Sequence, residues 1–227
     1  MTLKYIKFFI LGLAFMSFLA CNRPPDDFPS VPEISWDKVE FKEVNGPDSL
    51  VVTINFKDAE GDLGLRGNEQ NPPFQPFDFV RDNLGQFINY SNDPAFPPYN
   101  PLDWVIVENR NATEESARFD TLLVERNPNH FNISVKFFVK QNGAYNEFRW
   151  EDAPFYTTFN GRFPILNTSD RARPLEGKIR YGMLSSGWLP IFRTDTIRLE
   201  VQIKDRALNQ SNVAVSEDFT LQGVRVD

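Results

Sequence analysis

Thr196-Ile197-Arg198-Leu199-Glu200-Val201-Gln202-Ile203-Lys204 decides the fold class of this chain. Ile197, Leu199, Val201 and Ile203 fall on one side of an extended backbone, and Arg198, Glu200, Gln202 and Lys204 on the other. Strict alternation of this kind marks a strand with one buried and one wet face. Ser49–Phe56, SLVVTINF, repeats the pattern with Val52, Ile54 and Phe56 on one face. The same reading predicts further strands over 34–42, 119–125, 131–140, 145–150, 178–183 and 212–221. No window carries a helical stripe, and 113–118 has room for a single helical turn. The expectation is an all-β chain folded as an antiparallel sandwich.

Residues 70–102 break the pattern with Pro72-Pro73-Phe74-Gln75-Pro76-Phe77 and Asp93-Pro94-Ala95-Phe96-Pro97-Pro98-Tyr99. Proline removes ladder donors, so the stretch reads as loop, an insertion over about 67–102. Its aromatic content argues for order, because disordered linkers are poor in such residues. Phe74, Phe77, Phe96 and Tyr99, with Phe79 and Trp104 beside them, are candidate ligand-facing aromatics. A rigid aromatic-proline loop presents either a stacking platform for a glycan or an anchor for a protein partner. Packing of the same loop over the sandwich is the alternative.

Two acidic loops flank the alternating strands. Lys57-Asp58-Ala59-Glu60-Gly61-Asp62-Leu63-Gly64 follows the first, and Asp205-Arg206-Ala207-Leu208-Asn209 follows the last. In an antiparallel sandwich the loops after the second and the penultimate strand emerge at one end. Asp58, Glu60, Asp62, Asp205 and Asn209 are therefore candidate ligands for Ca²⁺, which takes 6–8 hard oxygens. The spacing is not that of an EF-hand. Asp, Gly and Asn are also the residues that tight turns require, so turn chemistry alone remains open, as does a catalytic carboxylate pair.

Other chemistries are bounded by what the chain lacks. Cys21 is the single cysteine, which excludes an intrachain disulfide and a thiolate cluster. His130 is the single histidine, and it reads as an exposed turn residue. There is no Gly-x-Ser-x-Gly elbow, Walker loop or GxGxxG. The chain reads as a non-enzyme.

The first twenty residues place Lys4 and Lys7 ahead of an apolar run from Phe8 to Ala20, broken only by Ser17. That run is short for a membrane span and suits a signal-peptide core. It ends in Phe18-Leu19-Ala20-Cys21, which resembles the lipobox of bacterial lipoproteins. The resemblance implies cleavage before Cys21 and a diacylglyceryl lipid on its thiol. Residues 21–32, with four prolines, then form a tether, and 33–227 the folded domain. Asp26-Asp27 resembles an acidic export signal of Bacteroidota lipoproteins and implies the outer face of the outer membrane. Removing residues 1–20 leaves 22 Lys+Arg against 31 Asp+Glu, a net of −9. An acidic chain without a basic stripe does not bind nucleic acid.

Taken together, INFKDAEGDLGL (54–65) and DTIRLEVQIKDRALNQSN (195–212) resemble a group of Bacteroidota surface lipoproteins. The resemblance is carried by Phe56, Asp58, Gly61, Asp62 and Gly64 at the front and by Asp205, Ala207, Asn209 and Ser211 at the back. It implies an immunoglobulin-like or cadherin-like sandwich and a location, and it carries no activity. Leu208 stands where such hairpins often have glycine. Asp48-Ser49-Leu50, Asp120-Thr121-Leu122 and Asp195-Thr196-Ile197 fit the Asp-(Ser/Thr)-aliphatic O-glycosylation motif of these bacteria, making Ser49, Thr121 and Thr196 candidate acceptors. Each also fits a strand start. The expectation is a lipid-anchored, immunoglobulin-like binding module. The alternatives are an accessory subunit of an outer-membrane transport or secretion complex and a glycan-binding lipoprotein of a polysaccharide-uptake system.

Overall fold

The alternating stretches 49–56 and 196–204 become the centres of two sheets. β2 (Asp48–Asp58) buries Leu50, Val52, Ile54 and Phe56, and β9 (Ile197–Ile203) buries Ile197, Leu199, Val201 and Ile203. Each such side chain contributes about 1.5–3 kcal/mol when fully removed from water. A computed structural model of the protein describes residues 28–91, 93–108, 118–169 and 171–226. The expected signal peptide, Cys21, most of the tether and nearly all of the helical turn at 113–118 lie outside the described residues.

In the first sheet, β2 pairs antiparallel with β1 (Glu33–Lys42) and with β8 (Leu175–Ser185), while β11 (Arg225–Val226) joins β1 in parallel, giving the order β11-β1-β2-β8. In the second, β9 lies between β6 (Ile133–Gln141) and β10 (Ala214–Val215), with β7 (Ala144–Phe148) outside β6, giving β10-β9-β6-β7. One hydrophobic cluster draws Ile34, Leu50 and Ile54 from the first sheet and Val135, Phe137 and Leu199 from the second. The arrangement is all-β, two sheets over a shared core as in a β-sandwich. The described residues carry no helix long and apolar enough to cross a membrane.

The stretch between β2 and β6 differs from the expected loop. It builds a third sheet from β3 (Phe77–Phe79), β4 (Trp104–Glu108) and β5 (Phe119–Arg126), in the order β3-β5-β4. The strand expected over 119–125 therefore belongs to this sheet, whose other neighbours pair through short segments that proline leaves free. The strand expected over 212–221 shrinks to two residues. Ser211 and Ser216 accept hydrogen bonds from the Ile203 and Leu199 N–H groups through their hydroxyls, at 3.0 and 2.9 Å, in place of their carbonyls, while their own N–H groups still donate to the Ile203 and Leu199 carbonyls. A single-turn helix, α1 (Trp188–Phe192), seals the end of the core away from the acidic loops, with Trp188 and Phe192 stacked on Phe137. Five residues are too few to show a period in sequence.

Candidate metal centre and binding surfaces

Asp58 is the last residue of β2, and the chain turns immediately after it through Gly61, whose φ is +65°. The turn is closed by the aspartate itself. Its Oδ2 accepts from the Gly61 N–H at 2.6 Å and the Asp62 N–H at 3.2 Å. Leu63 then forms an antiparallel bridge with Asp205, directly after β9, and the Arg206 N–H donates to the Asp62 carbonyl at 3.3 Å. The two loops thus meet. One carboxylate oxygen from each of Asp58, Asp62 and Asp205 lies within 4.8 Å of the other two.

The cluster is poorly compensated. Asp58 is 0% exposed, and its Oδ1 has neither solvent nor a hydrogen-bond partner. Asp62 is half-buried, and its Oδ1 is likewise buried without a partner. Burial pushes the Asp58 carboxyl up to about 6, with the negative charges of Asp62 and Glu60 adding to the rise against the lowering effect of the turn hydrogen bonds. Burial and then the neighbouring Asp205 raise Asp62 above the usual carboxylate range. Asp205 is held differently: Oδ1 accepts from the Asn209 N–H at 2.7 Å and Oδ2 from its Nδ2 at 2.8 Å. One of the expected ligands, Glu60, drops out. Glu60 is exposed and its carboxylate lies outside the cluster, because the turn alternates it away from Asp58 and Asp62. Asn209 faces Asp205 with its amide nitrogen, so it serves as a donor that orients that carboxylate.

A strap runs from the centre to the third sheet. Arg206 pairs through both terminal nitrogens with Glu69, at 2.9 and 2.6 Å, which holds the Glu69 carboxyl down to about 2. Arg162 donates to the carbonyls of Glu69, Phe74 and His130, and its second terminal nitrogen lies 2.8 Å from His130 Nδ1. His130 is therefore a half-buried member of a polar node, not the exposed turn residue the sequence implies. Nothing in the sequence marked Arg162 or Glu69, since isolated charges in loops are ordinarily solvated.

The candidate aromatics separate. Phe74 is buried, 6% exposed, under the Arg206 guanidinium, so it does not face a ligand; the strap folds it inward. Phe77 packs edge-on to Phe79, which packs edge-on to Phe87, on the face of the third sheet shared with Val124. Phe77 also lines a cleft of about 500 Å³ between the third sheet and the second, walled by Pro76, Leu102 and Phe131. On the opposite face Tyr90 contacts both Trp104 and Tyr99, and Tyr99 and half-buried Phe96 line a shallow hollow together with Tyr90. The candidate acceptors Ser49 and Thr121 lie inside β2 and β5, Thr196 just before β9, and all three are half-buried. The aspartate before Ser49 has a structural role, since Asp48 Oδ1 accepts from the Val44 N–H at 3.2 Å.

Comparison with protein-family models, with curated proteins and with solved structures finds no match.

Proposed function

We propose that this chain is a non-catalytic interaction module, carried on the outer face of a bacterial outer membrane by a lipid on Cys21, that contacts a partner protein through its third sheet. The carrying observation is the placement of exposed apolar residues. Among the described residues, thirteen large hydrophobics are exposed, and seven of them fall between Phe79 and Phe119. Leu84 is 85% exposed, Ile106 63% and Phe119 59%. Aliphatic and aromatic surface gathered on one inserted unit marks a protein contact. A glycan site needs polar groups convergent on a ring face, and Ile106, Phe119 and Leu84 supply none.

The sandwich is the rigid carrier in this reading. Its order β1-β2-β8 against β10-β9-β6-β7 suits an immunoglobulin-like domain, with the third sheet as an insertion between the second and third strands of that domain. The acidic net charge supports anchoring by lipid rather than by attraction to anionic headgroups. A non-catalytic role is supported by His130, whose Nδ1 is engaged by Arg162 and the Phe74 carbonyl. An accessory role beside an outer-membrane complex is the form of partnership that a short lipid tether favours.

The test is chemical cross-linking in the native envelope, followed by purification. Wild type should retain one partner in stoichiometric amount. Ile106→Ser with Phe119→Ser should lose it while unfolding at the wild-type temperature, since both side chains are already in water. Cys21→Ser should move the protein out of the membrane fraction. Retention of the partner by the double variant, or glycan binding in its place, would sink the reading.

A further inference from the structure

We propose that Asp58, Asp62 and Asp205 form a Ca²⁺ site that joins the exit of β2 to the hairpin after β9. Two features of the cluster point to a cation and not simply to a turn. The first is the orphaned oxygen of Asp58. A turn needs one carboxylate oxygen, and Oδ2 already fills that role for Gly61 and Asp62. Oδ1 is sealed from water with nothing to bond, on a residue that is 0% exposed. Leaving such an acceptor unsatisfied is costly, and more so when it is charged. The same holds for Asp62 Oδ1, so two of the three clustered acids each keep a buried oxygen without a partner.

The second feature is charge. The charged side chains that raise Asp58 are Asp62 and Glu60, both negative, and those that raise Asp62 are Asp205 and Glu60, while backbone N–H groups of Gly61 and Asp62, and of Asp62 and Ala207, act the other way. Arg206 senses Asp62, yet its guanidinium is committed to both oxygens of Glu69. Buried charge is otherwise retained only when paired or bound to metal.

The donors identify the cation. All are carboxylate oxygens, and the chain's single histidine is held at the Arg162 node, so the set is hard and suits Ca²⁺ or Mg²⁺ rather than zinc. Oxygens within 4.8 Å of one another fit around one Ca²⁺, whose bonds of about 2.4 Å allow that separation across the ion. Mg²⁺, which demands a near-ideal octahedron at about 2.1 Å and dehydrates reluctantly, suits three carboxylates drawn from two loops less well. Asp62 is the one member of the cluster that is not fully buried. The inference does not depend on the partner reading: the third sheet can bind its partner whether or not the loops hold an ion.

The full-length protein, purified in detergent and stripped with EDTA, is titrated with CaCl₂ and with MgCl₂ by calorimetry and by thermal unfolding. Ca²⁺ at about a hundred times its dissociation constant should raise the melting temperature by about 5–10 °C, and Mg²⁺ should raise it less. Asp58→Asn and Asp205→Asn should each abolish the Ca²⁺ response. Glu60→Gln, outside the cluster, should keep it. In EDTA, Asp58→Asn should unfold at or above the wild-type temperature, because the amide oxygen still accepts from Gly61 and Asp62 while a buried negative charge is gone. A wild type that shows neither heat of binding nor a shift at about 5 mM Ca²⁺, a concentration that fills even weak extracellular sites, overturns the proposal. So does an Asp205→Asn variant that binds as wild type does.

Discussion

Gly64 shows how tightly the acidic turn is built into its surroundings. Its φ is +104°, a region that side chains rarely enter, and a Cβ there would run into the Pro164 carbonyl and Ile165. Gly61, with φ of +65°, meets the Arg173 carbonyl in the same way. Both glycines are thus required by close approach of backbone to backbone as well as by dihedral angle. Gly64→Ala should cost about 2–4 kcal/mol, read as a drop in the denaturant midpoint. A loss under about 1 kcal/mol would mean that 164–165 moves aside freely. Leu208 offers the contrast. It adopts φ of +70° without being glycine, at the position where the resemblance anticipated one, and the hairpin is closed by Asp205 and Asn209 instead.

Among elements, the strap between Leu65 and Phe74 has no secondary structure of its own and is positioned by side chains. The Arg206–Glu69 pair is its strongest tie, and the linkage has a definite sign. Glu69 is depressed to about 2 from an ordinary value of 4.5, so the pair stabilises above pH 4.5. That contribution is lost as pH falls from 4.5 toward 2. Both partners remain partly in solvent, so its size is about 1 kcal/mol. Glu69→Gln should therefore lower stability by about that amount at pH 7 and match wild type near pH 2, measured by urea unfolding across pH. An equal deficit at both pH values would show that the pair's charge is irrelevant. The strands themselves follow from their side chains. β9 alternates without exception, whereas β4, WVIVE, is short and two-sided, and α1 is one turn long; neither carries enough residues for a period to stand out.

At the scale of the whole molecule, the hydrophobic cluster divides the protein unevenly. Its residues come from the two four-stranded sheets, from α1 and from adjoining loops; the buried Phe74, Trp104, Leu122, Leu123 and Val124 of the third-sheet region lie outside it. A three-stranded sheet with so small a core opens more readily than the sandwich beneath it. Hydrogen exchange should therefore release the amides of β4 and β5 well before those of β2, β6 and β9. Simultaneous exchange would indicate one cooperative unit.

Local pattern alone carries the strands that alternate, the all-β class and the acidic character of the two loops after β2 and β9. These are local properties, because a side-chain period of two is written in nine consecutive residues and a turn in four. Long-range packing settles that Asp58, Asp62 and Asp205 converge while the Glu60 carboxylate stays outside and Asn209 orients Asp205. It alone turned the proline-rich stretch into part of a third sheet, buried Phe74 and bound His130 to Arg162. Those outcomes depend on which distant segments share an end of the sandwich and on which side of a turn each side chain leaves. Pairing between residues more than a hundred positions apart leaves no periodic trace in either partner.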